Sequence, residues 1–275
     1  MRHASIIPKL SPPGTPASCY DSFVMRSVPE SKFEITLADG KKIHGRLRGS
    51  LSNDSPVVVM MHGRPGNGNE LVQYLAAHYL YEQGITSICL SMYDFDPKYR
   101  DMLDCTLDTH ISDFDTVVEH LRKEGVKKLF AVGHSYGGLT ILGSKARLEG
   151  VILWDPTHGM AWHDPAFKNP NFPQKRIGDI YICPSGPTFL WSAKQEEYDQ
   201  KLGDNSDWAK NKGYPIKFIT AGAGPLATWI WKYHEAADTP KALVEIPEAH
   251  HQFEDSDEIL KQLFAETASW VKKFS

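Results

Sequence analysis

The chain has 275 residues, of which 41% are hydrophobic and 23% charged, with a formal net charge of -4 at pH 7. That length can bury a substantial core, and the slightly acidic balance leaves no basic excess to suggest nucleic acid or an anionic membrane as a partner. No apolar run approaches the roughly 20 residues of a membrane helix, and the first eighteen residues lack the continuous apolar stretch of a secretory signal, so the expected location is cytoplasmic.

Cys19, Cys89, Cys105 and Cys183 are scattered, without a C-x-x-C pair or histidines at zinc-ligand spacing, and read as free thiols rather than a metal site or disulfide framework. Even composition and the lack of a Gly/Ser-rich or charged linker favour one core carrying an insertion.

In chain order, residues 1–31 hold five prolines among the first thirty positions and no sustained period, which predicts an extended N-terminal arm. Lys32 to Arg48 alternates about Ala38-Asp39-Gly40 and reads as a β-hairpin, with Phe33, Ile35 and Leu37 before the turn and Ile43 and Leu47 after it. Pro56 to Met61 is an apolar strand that runs into the loop His62-Gly63-Arg64-Pro65-Gly66. A helix from about Glu70 to Gln83 follows, with Asn69 as its N-cap and Gly84 as its stop. Ile85 to Leu90 is the next strand, with Cys89 a small buried hydrophobe within it. Phe114, Val117, Val118 and Leu121 then mark a helix near Asp113 to Glu124.

Lys128 to Gly138, KLFAVGHSYGG, carries the strongest chemical signal. A serine hydroxyl is a useful nucleophile when it stands clear of the scaffold beside a base and facing donors for a developing oxyanion. A sharp strand-to-helix turn supplies that pose, and its crowding requires residues without side chains two positions either side of Ser135, where Gly133 and Gly137 stand. The five-residue pattern is weak alone; the apolar strand Leu129 to Val132 before it and Leu139, Ile141 and Leu142 after it supply the context.

Val151 to Trp154 is another buried strand, ending at Asp155. From Asp155 to about Gly213 the alternation fails, and this stretch, rich in Pro, Trp, Tyr and Phe, reads as a lid inserted over residues 156–213. Tyr214 to Thr220 resumes as a strand, followed by a helix around Thr228 to Ala237, a strand from Ala242 to Ile246, and a closing helix from about Asp257 to Phe274 with Asp255 and Glu258 at capping-box spacing. Residues 32–155 and 214–275 form the core. Alternating apolar strands and helices predict an α/β fold, a mostly parallel sheet covered on both faces, with ligands at the carboxyl ends of its strands.

Taken together, HGRPG after the third strand, GHSYGG after the fifth, WDP after the sixth and AHHQF after the last resemble the α/β-hydrolase superfamily of serine hydrolases over nearly the whole chain. The resemblance implies an α/β-hydrolase fold and a triad in chain order, here Ser135, Asp155 and His251. His251 fits the family's His-x-Phe ending better than the neighbouring His250. His62, His134, His158 and His163 are left outside the triad, the first two as packing and loop hydrogen-bonding groups. Most members carry the acid after the strand corresponding to Tyr214 to Thr220, but that loop reads Ala221-Gly222-Ala223-Gly224-Pro225, so Asp155 takes the role, with Glu235 the fallback and Glu248 and Asp255 solvated charges.

The same resemblance implies an oxyanion hole from the backbone N–H groups of Tyr136 and Arg64. Two roles are open to the Arg64 side chain: selecting a polar or carboxylated substrate, or pairing with a nearby acid. The aromatic lid and Trp154 suggest an apolar pocket of modest size for a small-molecule ester. The implied activity is carboxylic-ester hydrolysis through an acyl-enzyme, without metal or organic cofactor. An acyltransferase or amidase, and a non-catalytic receptor on the same scaffold, are the alternatives.

Overall fold

The computed structural model describes residues 28–52, 54–164, 175–183 and 189–275. Most of the expected N-terminal arm lies outside them, and the chain is already in a strand at Glu30.

Strands β1 (Glu30–Thr36) and β2 (Lys42–Arg48) form the hairpin read from the alternation, with Gly40 at φ 82° in its turn. They continue into β3 (Val57–Met61), helix α1 (Leu71–Glu82), β4 (Thr86–Ser91), α2 (Leu107–Lys123), β5 (Leu129–His134), α3 (Tyr136–Gly143) and β6 (Gly150–Trp154). After an insertion come β10 (Ile216–Ala221), α5 (Ala227–Ala236), β11 (Lys241–Ile246) and α6 (Asp257–Phe274). One eight-stranded sheet results, in the order β1-β2-β4-β3-β5-β6-β10-β11. Only β2 breaks the parallel run, pairing antiparallel with β1 and β4.

Successive side chains of a strand face opposite sides of the sheet, so an apolar strand builds two cores at once. Val58, Met60, Phe130, Val132, Ile152 and Trp154 face α1 and α6, whose Leu75, Leu80, Leu260 and Phe264 complete that layer. Val57, Val59, Met61, Ala131, Val151 and Leu153 face α2, α3 and α5.

One helix start and the caps of two other helices differ from the sequence reading. Helix α2 begins at Leu107, about six residues early, because Thr106 forms a capping box with Thr109 ahead of the apolar stripe. Glu70 rather than Asn69 precedes α1, and it contributes no side-chain cap; the Asn69 side chain bonds Arg46 instead. Ser256 caps α6 by accepting from Ile259 N–H, while Asp255 turns back to His250.

Between β6 and β10 the chain forms a 3₁₀ turn (Gly159–His163), the antiparallel strands β7 (Lys175–Ile177), β8 (Ile180–Cys183) and β9 (Phe189–Ser192), helix α4 (Ala193–Asp199) and a second 3₁₀ turn (Ser206–Ala209). These strands form a separate three-stranded sheet. No helix among the described residues is long and apolar enough to cross a membrane. Cys89 and Cys105 are free buried thiols.

Candidate active site

Ser135 lies between the last residue of β5 and the first of α3, at φ 53° and ψ −117°. For a non-glycine residue this backbone costs on the order of 1–3 kcal/mol and persists only where its surroundings enforce it. They do so here by close packing. A Cβ on Gly133 would stand 2.6 Å from Gly138 N, and one on Gly137 would stand 2.5 Å from Met61 O. The Ser135 N–H donates to Trp154 O at 2.9 Å, tying the turn to β6.

The Ser135 hydroxyl lies 2.8 Å from His251 Nε2, and His251 Nδ1 lies 2.6 Å from Asp155 Oδ2. With Nδ1–H donating to the carboxylate, Nε2 is left to accept a hydrogen bond from the Ser135 hydroxyl. Asp155 is fully buried at φ 43° directly after β6. Its Oδ1 accepts from Thr220 Oγ1 and from Ala221 N–H, both at 3.1 Å. The Asp155 carboxylate therefore leaves the chain at β6 but is held by the end of β10.

The neighbouring His250 points elsewhere: its Nδ1 and backbone N–H both bond Asp255 at 2.8 Å. Glu235 is exposed on α5, and Glu248 is exposed after β11. Neither appears among the hydrogen-bond partners of His251.

His134 sits behind His251. Its Nε2–H donates to His251 O at 2.8 Å, its ring centroid lies 4.9 Å from that of His251, and Glu70 lies 3.8 Å from its Nδ1. Burial opposes its charged form, but Glu70 more than offsets this and raises its pKa. His62 donates from Nδ1 to Gly63 O and accepts Met92 N–H on Nε2, a neutral tautomer that burial favours by lowering its pKa. His158 and His163 reach Ser206 Oγ at 3.0 Å and Leu202 O at 3.1 Å, joining the two ends of the insertion.

Two substrate contacts expected from the sequence are corrected. Trp154 is fully buried on the α6 side of the sheet, its Nε1 donating to Thr267 Oγ1 at 3.0 Å, because strand alternation turns it away from the face that Asp155 reaches. The Arg64 side chain does not line an open cleft: it forms ion pairs with Glu196 at 2.9 Å and Asp199 at 2.7 Å. Its backbone stays close to Ser135, since a Cβ on the adjacent Gly63 would stand 3.0 Å from Ser135 Cβ. Tyr136, as the first residue of α3, presents an N–H that has no partner within the helix.

Thr157 was not singled out from sequence. Its Oγ1 lies 3.3 Å from Ser135 Oγ, and its N–H donates to Ser135 O. A threonine two residues after the acid carries no local signal of that contact. No group of three or more His, Cys, Asp or Glu arranged to hold a metal ion occurs among the described residues.

A family model described as the alpha/beta hydrolase family matches residues 58–271. No curated protein matches the sequence. Among solved structures, Est1E from Butyrivibrio proteoclasticus with bound ferulic acid aligns at a TM-score of 0.69 and 18% identity, covering 88% of this chain and 98% of its own. The alpha/beta hydrolase GrgF from Penicillium sp. sh18 aligns at 0.67 and 16% identity, covering 90% and 99%. The esterase domain of a Rhodothermus marinus protein aligns at 0.65 and 13% identity, again covering 90% and 99%. With a family match that spans most of the chain and includes every group of the Ser135 relay, this protein belongs to the alpha/beta hydrolase family.

Proposed function

We propose that the protein hydrolyses carboxylic esters of small to medium apolar molecules through an acyl-enzyme. The observation that carries this reading is the unbroken relay from Asp155 Oδ2 through His251 to Ser135 Oγ, at 2.6 and 2.8 Å, on a nucleophile held in a strained turn. Ser135 Oγ attacks the ester carbonyl as its proton passes to His251 Nε2, and Asp155 stabilises the imidazolium without taking the proton. The N–H groups of Tyr136 and Arg64 receive the oxyanion. On collapse, His251 returns the proton to the departing alkoxide. It then deprotonates a water that attacks the acyl carbon, and Ser135 leaves with its proton restored.

The preference for apolar groups is supported by the near-burial of the nucleophile, which is 8% exposed. Residues 156–213 serve as the lid in this reading, supported by the packing of Trp162, Tyr198 and Trp208 against Tyr136 and Leu139. Two of the similar solved structures, described as an esterase domain and as a protein with bound ferulic acid, agree with this reading.

The test is steady-state hydrolysis of a p-nitrophenyl ester series by the wild-type chain and by Ser135→Ala, with and without added alcohols and amines. Turnover that needs Ser135 and is insensitive to acceptors supports the hydrolase. Turnover that accelerates with an alcohol or amine, yielding the transferred product, moves the assignment to an acyltransferase, and equal inactivity of both proteins moves it to a receptor.

A further inference from the structure

The two residues assigned to the oxyanion hole are joined through their side chains to one buried carboxylate of the insertion. Asp199, the last residue of α4, accepts from Arg64 Nη1 on Oδ2 at 2.7 Å and from the Tyr136 hydroxyl on Oδ1 at 2.9 Å. Glu196, three residues earlier, accepts from Arg64 Nη2 and from Trp191 Nε1, both at 2.9 Å on the same oxygen, while its other oxygen takes Gln200 Nε2 at 3.0 Å. The guanidinium lies 4.5 Å from the Trp162 ring centroid and 5.4 Å from that of Trp191. The side chains of Arg64 and Asp199 are 8% and 0% exposed.

Burying one cation with two carboxylates is a poor route to stability, because desolvation offsets most of the attraction. What such a cluster does supply is fixed geometry. Arg64 and Tyr136 each stand three residues past the last pair of the β3–β5 ladder, Met61 opposite Gly133, which brings the two segments together without including either N–H. Beyond that end, the carboxylate that grips both side chains ties them to each other.

Resting on the hydrolase reading above, we propose that Asp199 is a positioning residue that sets the spacing of the two oxyanion-hole donors, with Glu196 holding the other edge of the Arg64 guanidinium. Oxyanion donors act only within a narrow range of distances, so a small displacement weakens the transition state more than the bound substrate.

The charged and titratable groups facing Asp199 are Arg64 from the loop after β3, Tyr136 from α3, and Glu196 and Tyr198 from α4. Burial is the largest influence and raises the Asp199 pKa to about 7 against the pull of Arg64 and Tyr136. The clamp is therefore ionised and intact above that pH. Below it, a protonated Asp199 cannot accept from both partners, and the clamp loosens.

The experiment uses the full chain and the variants Asp199→Asn, Glu196→Gln and Tyr136→Phe, the last of which keeps its backbone N–H. For each, kcat and KM for p-nitrophenyl butyrate are measured with the affinity for an alkyl trifluoromethyl ketone, whose adduct with a serine carries an oxyanion. Asp199→Asn is expected to lower kcat by about 10–100-fold with KM within about twofold, and to weaken the ketone by the same factor. Its kcat should also lose the component of the pH profile near 7. Glu196→Gln and Tyr136→Phe should each lower kcat by about 3–10-fold at unchanged KM.

Wild-type kcat and ketone affinity in a folded Asp199→Asn overturn the proposal, as does a rise in KM at constant kcat. Should Asp199→Asn fail to fold, the other two variants decide: wild-type kcat in both overturns it, and the matched loss of kcat and ketone affinity upholds it. These outcomes leave the hydrolase reading standing, because the wild-type chain turns over ester. A wild-type chain inert to esters and to the ketone overturns both.

Discussion

Each group of the Asp155–His251–Ser135 relay leaves the carboxyl end of a strand in the eight-stranded sheet, whereas Glu196 and Asp199 come from a seven-residue helix in the insertion. In the sheet, hydrogen-bonded ladders fix where each strand ends. The β5–β6 register places His134 opposite Trp154, so Ser135 and Asp155 emerge side by side. In the insertion the β8–β9 ladder places Trp191 beside Arg64, and α4, which follows β9 directly, is held to Arg64 by side-chain ion pairs and hydrogen bonds. Backbone pairing places Ser135 and Asp155, and side-chain bonds fasten the insertion beside them.

The largest test of that division is Ser135→Ala, which should lower ester turnover by at least about 10³-fold while leaving the thermal midpoint close to wild type. Asp155→Asn should follow, with a loss of about 10³–10⁴-fold in kcat, since an amide cannot hold the imidazole in the required tautomer. Nearly full activity in that variant would move the acid to Glu235 and separate the chemistry from the sheet edge. Thr220→Val removes one of two donors to Asp155 Oδ1 and should lower kcat about fivefold, near the 1 kcal/mol of an ordinary hydrogen bond. Trp154→Phe removes the bond to Thr267 on the far face of the sheet and should cost about 1–2 kcal/mol of unfolding free energy with KM unchanged. The smallest effect is expected for His250→Gln, with activity within about twofold of wild type, because that side chain is exposed and paired with Asp255.

Legibility in the sequence followed the same division. Val57 to Met61, Leu129 to Val132 and Val151 to Trp154 read as buried strands because a sheet covered on both faces needs apolar residues at every position. GHSYGG was legible because crowding at the elbow excludes side chains at Gly133 and Gly137. The commoner acid position after β10 reads as empty, and its function there became visible only in three dimensions: that loop supplies Ala221 N–H to the Asp155 carboxylate.

Trp154 shows a signal present but unused, since the period of two that places Ile152 on the α6 side places Trp154 there as well. The start of α2 was hidden because Asp108, Thr109 and His110 dilute the apolar stripe that Leu107 begins. The partners of Arg64 lie 132 and 135 positions away, in a stretch with neither a strand nor a helix period, and no local rule connects them.

The most direct measurement is reaction of the purified protein with a fluorophosphonate, followed by mass spectrometry to locate the adduct. An activated serine is phosphonylated stoichiometrically, and the account predicts a single adduct on Ser135 that is lost in His251→Ala. Folded wild-type protein that remains unlabelled, or that is labelled equally well without His251, would contradict it.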